Sequence, residues 1–272
     1  MIDVIHKIRH APEYLFLALT SVFSVFPLYF MAVSSTNSSR EVLSTKLTPG
    51  TRLLENLDTL MKTQDLAGAM WHSSLNAIAT TILALGICSI AGYSFEIFHS
   101  HTKDRLMGIL LVAMMIPLAA TMIPLFRLFA RIGMVNSTWA VILPAISTPV
   151  LILLFRQSSR SFPHEILEAA RIDGLTELAI FLRIYVPTMR STYAAAAVIT
   201  FMTAWNNFLW PKVILVDNAY QTMPMLVSNL SAGYVTDYGV LMLAVLIASL
   251  PAVIVFLVLQ RSFANGITGA VK

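Results

Sequence analysis

Long apolar stretches separated by short polar segments dominate the chain. Six of them, at about 12–33, 72–95, 106–130, 138–156, 190–211 and 239–260, approach the ~20 residues that a bilayer core requires. The pattern predicts an all-α integral membrane protein of six transmembrane helices, residues 1–272 forming one transmembrane domain. Pro27, Pro117, Pro124, Pro144, Pro149 and Pro251 fall within spans. Membrane helices tolerate them because neighbouring helices and polar side chains re-satisfy the freed carbonyls. The first span resembles a signal segment, with Ala32-Val33-Ser34 as a cleavage-like site. It is longer than the roughly 7–15 apolar residues of such segments, and is read as an uncleaved anchor.

Between the fourth and fifth spans lies a polar loop, 157–189, that interrupts the apolar pattern. Ser161 suits a cap, Pro163 a helical first turn and Gly174 a left-handed stop, so a helix is predicted over 163–173. It carries Ile166, Leu167, Ala170 and Ile172 among charges and is too short to span hydrocarbon. A second short helix is predicted from Thr176, with Leu178, Phe181, Leu182 and Tyr185 at helical spacing before Pro187.

Composition places the chain in the same class. Of 272 residues, 57% are hydrophobic and 12% charged, where a soluble domain carries roughly 25% charged residues. Mean hydropathy is +0.75. The net charge of +4 comes from basic residues dispersed between spans, which excludes nucleic acid as a partner. Anionic lipid and the topology signal account for them better. The lysine and arginine bias, clearest around 156–190, predicts that the N-terminus, this loop and the C-terminus face the cytoplasm.

Several chemistries are missing. No Gly-Lys-Ser or Gly-Lys-Thr occurs, so the chain has no phosphate-cradling loop of its own, and no His-Glu-x-x-His occurs. His99 and His101 flank a short turn and read as solvated; the single cysteine, Cys88, reads as core filler. Titratable groups avoid the span interiors, with Glu96 at the inner end of the second span and Arg127 near the outer end of the third. Proton-driven carriers need ionisable residues near the midplane, so energy is expected from outside the chain.

Glu168-Ala169-Ala170-x-x-Asp173-Gly174, followed by Phe181-x-x-Ile184-x-Val186-Pro187, resembles the EAA coupling motif of permease subunits in ATP-binding-cassette (ABC) importers. Trp205-Asn206-Asn207-Phe208-Leu209-Trp210-Pro211 and the C-terminal Gly266-Ile267-Thr268-Gly269-Ala270-Val271-Lys272 resemble the carbohydrate branch, near the maltose-type smaller subunit. Similarity extends to Pro27, Asn76 and the segment from Pro124 to Gly133. Leu175 stands where the family commonly has Ala, and Ser191 where a second proline is expected.

The resemblance implies a permease of a prokaryotic inner membrane, not an enzyme, that imports a sugar or oligosaccharide. A glycerol-phosphate-type solute within the same family is the alternative, and a self-contained secondary carrier leaves the motif unexplained. Implied partners are a second, non-identical permease, an ATPase dimer, an extracytoplasmic solute-binding protein and membrane lipid. No cofactor is expected on this chain, with ATP and Mg on the ATPase subunits. Glu168 and Asp173 would be polar contacts to the ATPase, Ala169 and Ala170 small residues for close seating, and Gly174 the sharp exit. Gly266, Gly269 and Lys272 would lie at the ATPase interface. Asn76, in a polar stripe with Ser73, Ser74, Thr80 and Thr81, either lines the path or glues helices. Trp205, Asn206, Asn207 and Trp210 suit a sugar, or form an interfacial belt with Asn capping a helix. Ala194 to Ala197 reads as a close-packing surface, and 212–238 as a binding-protein loop or a plain connector.

Overall fold

The computed structural model describes the backbone of residues 11–233 and 235–269 and the side chains of 13–233 and 235–260; every element among them is helical. Among the described residues, three helices are long and apolar enough to cross a bilayer. These are α1 (Ala11–Ser34), which precedes two short helices, α2 (Ser39–Leu43) and α3 (Leu53–Thr63); then α4 (Leu66–Ile97); and, at the end of the chain, Tyr238–Gly269.

The third and fourth apolar stretches are bent rather than straight. Helices α5 (His101–Ala113) and α6 (Leu118–Arg131) meet at 99°. The bend falls at Pro117, whose ring disfavours helical geometry in the residue before it and which has no N–H to give. After α7 (Thr138–Ile142) and a 3₁₀ turn at Leu143–Ala145, α8 (Pro149–Arg160) departs at 44°. Thr148, ahead of Pro149, is extended (φ −105, ψ 128) for the same reason. Counting each bent pair as one span gives up to five crossings, not the six expected.

The fifth stretch falls short. Beyond α9 (His164–Ile172), α10 (Glu177–Ile180), a π-turn at Phe181–Tyr185 and α11 (Val186–Thr188), helix α12 runs Arg190–Trp205. Its 16 residues rise about 24 Å, less than the ~30 Å of hydrocarbon. Asn206 Nδ2 bonds back to Met202 O at 2.9 Å, a local alternative to continuing the helix. The chain resumes as α13 (Leu209–Ile214) and α14 (Met223–Ser231), with a 3₁₀ turn at Asn218–Tyr220, so 212–238 is more than an open connector. The last helix, α15 (Tyr238–Gly269), runs past the end of the sixth apolar stretch expected at about 260, and residues 266–269 continue it despite their glycines. Each glycine costs only about 1 kcal/mol in a helix. Lys272 lies outside the described residues.

Two compact units emerge, one from the chain up to Leu66 with Leu226–Leu250, the other from Ala67–Met225 with the chain from Pro251. In the first, carboxamides close the turn after α1. Asn37 Nδ2 donates to Val33 O and Thr48 O, each at 3.1 Å, while Asn56 Nδ2 donates to Ser35 O at 2.8 Å. In the second, Ala84, Cys88, Leu151, Ile152, Phe155 and Ala196 form a buried core between α4, α8 and α12. Cys88 and Ala196 are fully buried there, as core filler and close-packing residue. A Cβ on Gly92 would sit 2.5 Å from Phe155 Cβ and 2.8 Å from Arg156 N, so α4 and α8 approach this closely only at glycine.

Candidate functional site

The loop from 161 to 189 folds as a knob with an inner and an outer face. Ser161 does not start it; its hydroxyl donates to Ser158 O at 2.8 Å, ending α8, and Pro163 holds the cap position of α9 instead. At the far end Gly174 has φ +80 with open space around it, so its glycine is required by torsion and not by crowding. Leu175 N donates to Ala170 O at 3.1 Å and Gly174 N to Arg171 O at 3.0 Å, the paired bonds of a Schellman stop. Leu175 packs on the cluster that contains Ala170, supplying the apolar contact that accompanies this motif.

Leu167, Ala170, Phe162, Ile180, Phe181 and Tyr185 turn inward onto Tyr93 of α4. Burial pushes the Tyr185 hydroxyl up to about 12, and that group shares a 2.7 Å hydrogen bond with Ser159. Thr176 caps α10, accepting from Ala179 N at 3.3 Å. The π-turn before Pro187 carries a Val186 N to Phe181 O bond, an adjustment made where proline interrupts the ladder. The outward face holds Glu165, Ile166, Glu168, Ala169, Ile172 and Asp173. The two alanines therefore divide: Ala169 is exposed, whereas Ala170 is 5% exposed and packs into the protein itself. Ile172, which sequence reasoning counted among the apolar residues of the helix, is 86% exposed at the tip. A shallow depression of ≈ 470 Å³ runs between Glu165, Ala169, Asp173, Leu175 and Ile184.

Polar contacts fasten this knob to α4, and α8 to α4 and α5. Arg171 Nε meets Glu177 Oε1 at 2.7 Å across the Gly174 turn, and the Tyr93 hydroxyl donates to Glu177 Oε2 at 3.3 Å. Nearby, Arg156 bridges Glu96 (3.2 Å) and Asp104, and His99 Nε2 lies 2.9 Å from Asp104 Oδ2. His99 is thus half-exposed, with its ring against the Asp104 carboxylate. Among the described residues no group of His, Cys, Asp and Glu could hold a metal. Tyr93, Arg156 and Glu177 were not singled out from sequence, because pairs 84, 60 and 52 residues apart leave no periodic signal.

A second feature is a cavity of ≈ 270 Å³ between α4, α7, α8 and α12. Asn76, Thr80, Thr148, Thr200, Thr203 and Asn207 supply its polar groups, and Leu151, Leu154 and Ile199 are among its apolar walls. Asn76 is 5% exposed, and its Oδ1 has no hydrogen-bond partner. Its neighbour in the stripe, Ser73, instead accepts from Met223 N at 2.7 Å and so glues helices. Asn207 reaches the cavity, while Asn206 turns back onto its own helix. The tryptophans do not offer aromatic faces to it. Trp205 is 3% exposed and stacked on Phe201, and Trp210 is buried with Nε1 donating to Ala140 O at 2.8 Å. Burial of large rings in a helical core outweighed the interfacial placement expected from their polar tips.

Residues 89–269 match the family described as "Binding-protein-dependent transport system inner membrane component". The lactose transport system permease protein LacG of Rhizobium radiobacter is 42% identical over 96% of this chain and 95% of its own. The arabinooligosaccharides transport system permease protein AraQ of Bacillus subtilis is 32% identical over 97% and 99%. The sn-glycerol-3-phosphate transport system permease protein UgpE of Salmonella typhi is 29% identical over 91% and 92%. The fold is similar, at TM-score 0.82 and 16% identity over 94% of this chain and 97% of the other, to a chain of a bacterial ABC transporter involved in the import of the acidic polysaccharide alginate. With the family matched over two thirds of its length and long apolar helices on either side of a motif-bearing loop, the chain belongs to the binding-protein-dependent inner membrane components, as a multi-pass permease subunit of an ABC importer whose ATP is hydrolysed on separate subunits.

Proposed function

We propose that this permease forms half of the path for a sugar or oligosaccharide and converts ATPase closure into movement of that path. The observation that carries the reading is the knob at 161–189, closed by a Schellman stop at Gly174 and packed on α4 through Ala170 and Tyr185. Its outer face combines the carboxylates of Glu168 and Asp173 with exposed Ala169 and Ile172. Such a surface fits an ATPase cleft with basic walls and an apolar floor. The knob and both termini lie in the cytoplasm of a prokaryotic cell, and the fifth apolar stretch completes a six-span bundle when packed against a second, non-identical permease. ATP and Mg stay on the ATPase dimer, a solute-binding protein delivers substrate from outside, and Gly266, Gly269 and Lys272 reach the ATPase interface. The relatives named for lactose and arabinooligosaccharides support sugar as the substrate.

Helix α4 is continuous from Leu66 to Ile97. Tyr93, which touches the knob, and Asn76, which lines the cavity, are therefore joined by a rigid rod about 25 Å long. Movement of the knob would reach the cavity along that rod. The test is uptake of labelled lactose by proteoliposomes holding this chain with its partner permease, ATPase and binding protein. ATP-dependent uptake is expected; uptake by the chain alone, driven by a gradient, would sink the reading.

A further inference from the structure

We infer that the cavity lined by Asn76 and Asn207 is a subsite for one uncharged glycosyl unit, with Asn76 Oδ1 accepting a hydroxyl of the sugar. This deepens the importer reading and rests on it. Asn76 is 5% exposed and its Oδ1 lacks any partner, so the protein holds a desolvated acceptor that a ligand donor would satisfy. Around it, Thr80, Thr148, Thr200, Thr203 and Asn207 offer only neutral hydroxyl and amide groups, which suit the mixed donors and acceptors of a sugar ring. The remaining wall is aliphatic and fits ring C–H faces. No lysine, arginine or histidine lines the cavity, so a phosphate or uronate brought there would leave water without a counter-charge on this chain. An alkyl chain would fill the apolar wall but leave Oδ1 unmet. At ≈ 270 Å³, equal to the liquid share of roughly nine waters, the space holds a single pyranose-sized ring.

The test is equilibrium dialysis on the assembled permease–ATPase complex, without binding protein, using lactose and sn-glycerol 3-phosphate as probes. Lactose is expected to bind and the phosphate not. Asn76→Leu, of similar volume without the acceptor, is expected to weaken lactose binding about tenfold. Thr200→Val, which removes a hydroxyl from the same wall, is expected to weaken it less and carries the test if the first variant fails to assemble. Unchanged lactose binding in the assembled variants, equal binding of the phosphate, or no lactose binding by the parent would overturn the subsite. ATP-driven lactose uptake would still uphold the importer reading in any of those cases, and its loss in the parent would sink that reading separately.

Discussion

The Tyr93 hydroxyl donates to Glu177 Oε2 at 3.3 Å although the two residues are 84 apart in the chain. Arg171 holds the other carboxylate oxygen at 2.7 Å, so one acidic group ties α4 to both sides of the Gly174 turn. Hydrogen-bond partners held to a charged acceptor are stronger than neutral pairs, and here the charge sits where the knob must not slip. Tyr93→Phe keeps the ring in its cluster and removes only the donor. Normal membrane levels are expected, with substrate-stimulated ATP hydrolysis reduced about three- to tenfold. A variant that couples ATP hydrolysis to uptake as the parent does would show that this bond transmits nothing.

Gly174 separates torsion from packing, since a Cβ there meets open space while φ is +80. Gly174→Val is expected to strain the turn by on the order of 1–3 kcal/mol, whereas Gly174→Asn, which tolerates this region, changes little. Asp173→Lys reverses a charge beside the same turn. The Val and Lys variants should insert normally and lose association with the ATPase, read by co-purification of the complex. Retained association in both would mean the knob is not the docking element.

Gly92 makes the opposite case. A methyl there would collide with Phe155 Cβ and with Arg156 N, which is backbone and does not yield. Gly92→Ala is expected to destabilise the second unit by about 1–3 kcal/mol, as overpacking does. A lowered thermal unfolding midpoint in detergent checks it, against Gly86→Ala, which meets open space inside the same helix and should keep or slightly raise the midpoint.

Glu41 gives a pH dependence outside the spans. The Lys46 ammonium at 2.6 Å, followed by hydrogen bonds from Ser38, lowers its carboxyl to about 2. A depressed acid stabilises the fold above its ordinary value near 4.5 and loses that contribution as pH falls toward about 2. Hydrogen-exchange protection in 38–46, taken relative to the intrinsic rate at each pH, should therefore hold down to pH 4.5 and fall below it. Glu41→Gln should remove the dependence; an unchanged profile in that variant would assign it to another group.

The C-terminal segment supplies the fifth expectation. Helix α15 runs on to Gly269, beyond the apolar stretch that ends near Gln260. Deleting 266–272 is expected to leave insertion intact and to lower substrate-stimulated ATP hydrolysis severalfold. Equal rates in parent and truncated complexes would make the segment a passive end.

Composition and local chemistry alone determined the membrane class, the positions of α1, α4 and α15, and the turn at Gly174. These features rest on solvation of whole stretches and on torsions set by one residue and its immediate neighbours. Tertiary structure decided the rest. Pro117 and Pro149 were visible in the sequence, yet whether proline is absorbed or bends a span depends on what packs around it. Asn206 and Asn207 looked equivalent, but the first closes its own helix and the second reaches a cavity shared with Asn76, 131 positions earlier. Ala169 and Ala170 likewise differ only in which side of α9 meets the core. Hydrophobic periodicity records that a position avoids water; only the three-dimensional packing of distant segments decides which surface covers it and which polar atom is left waiting for a ligand.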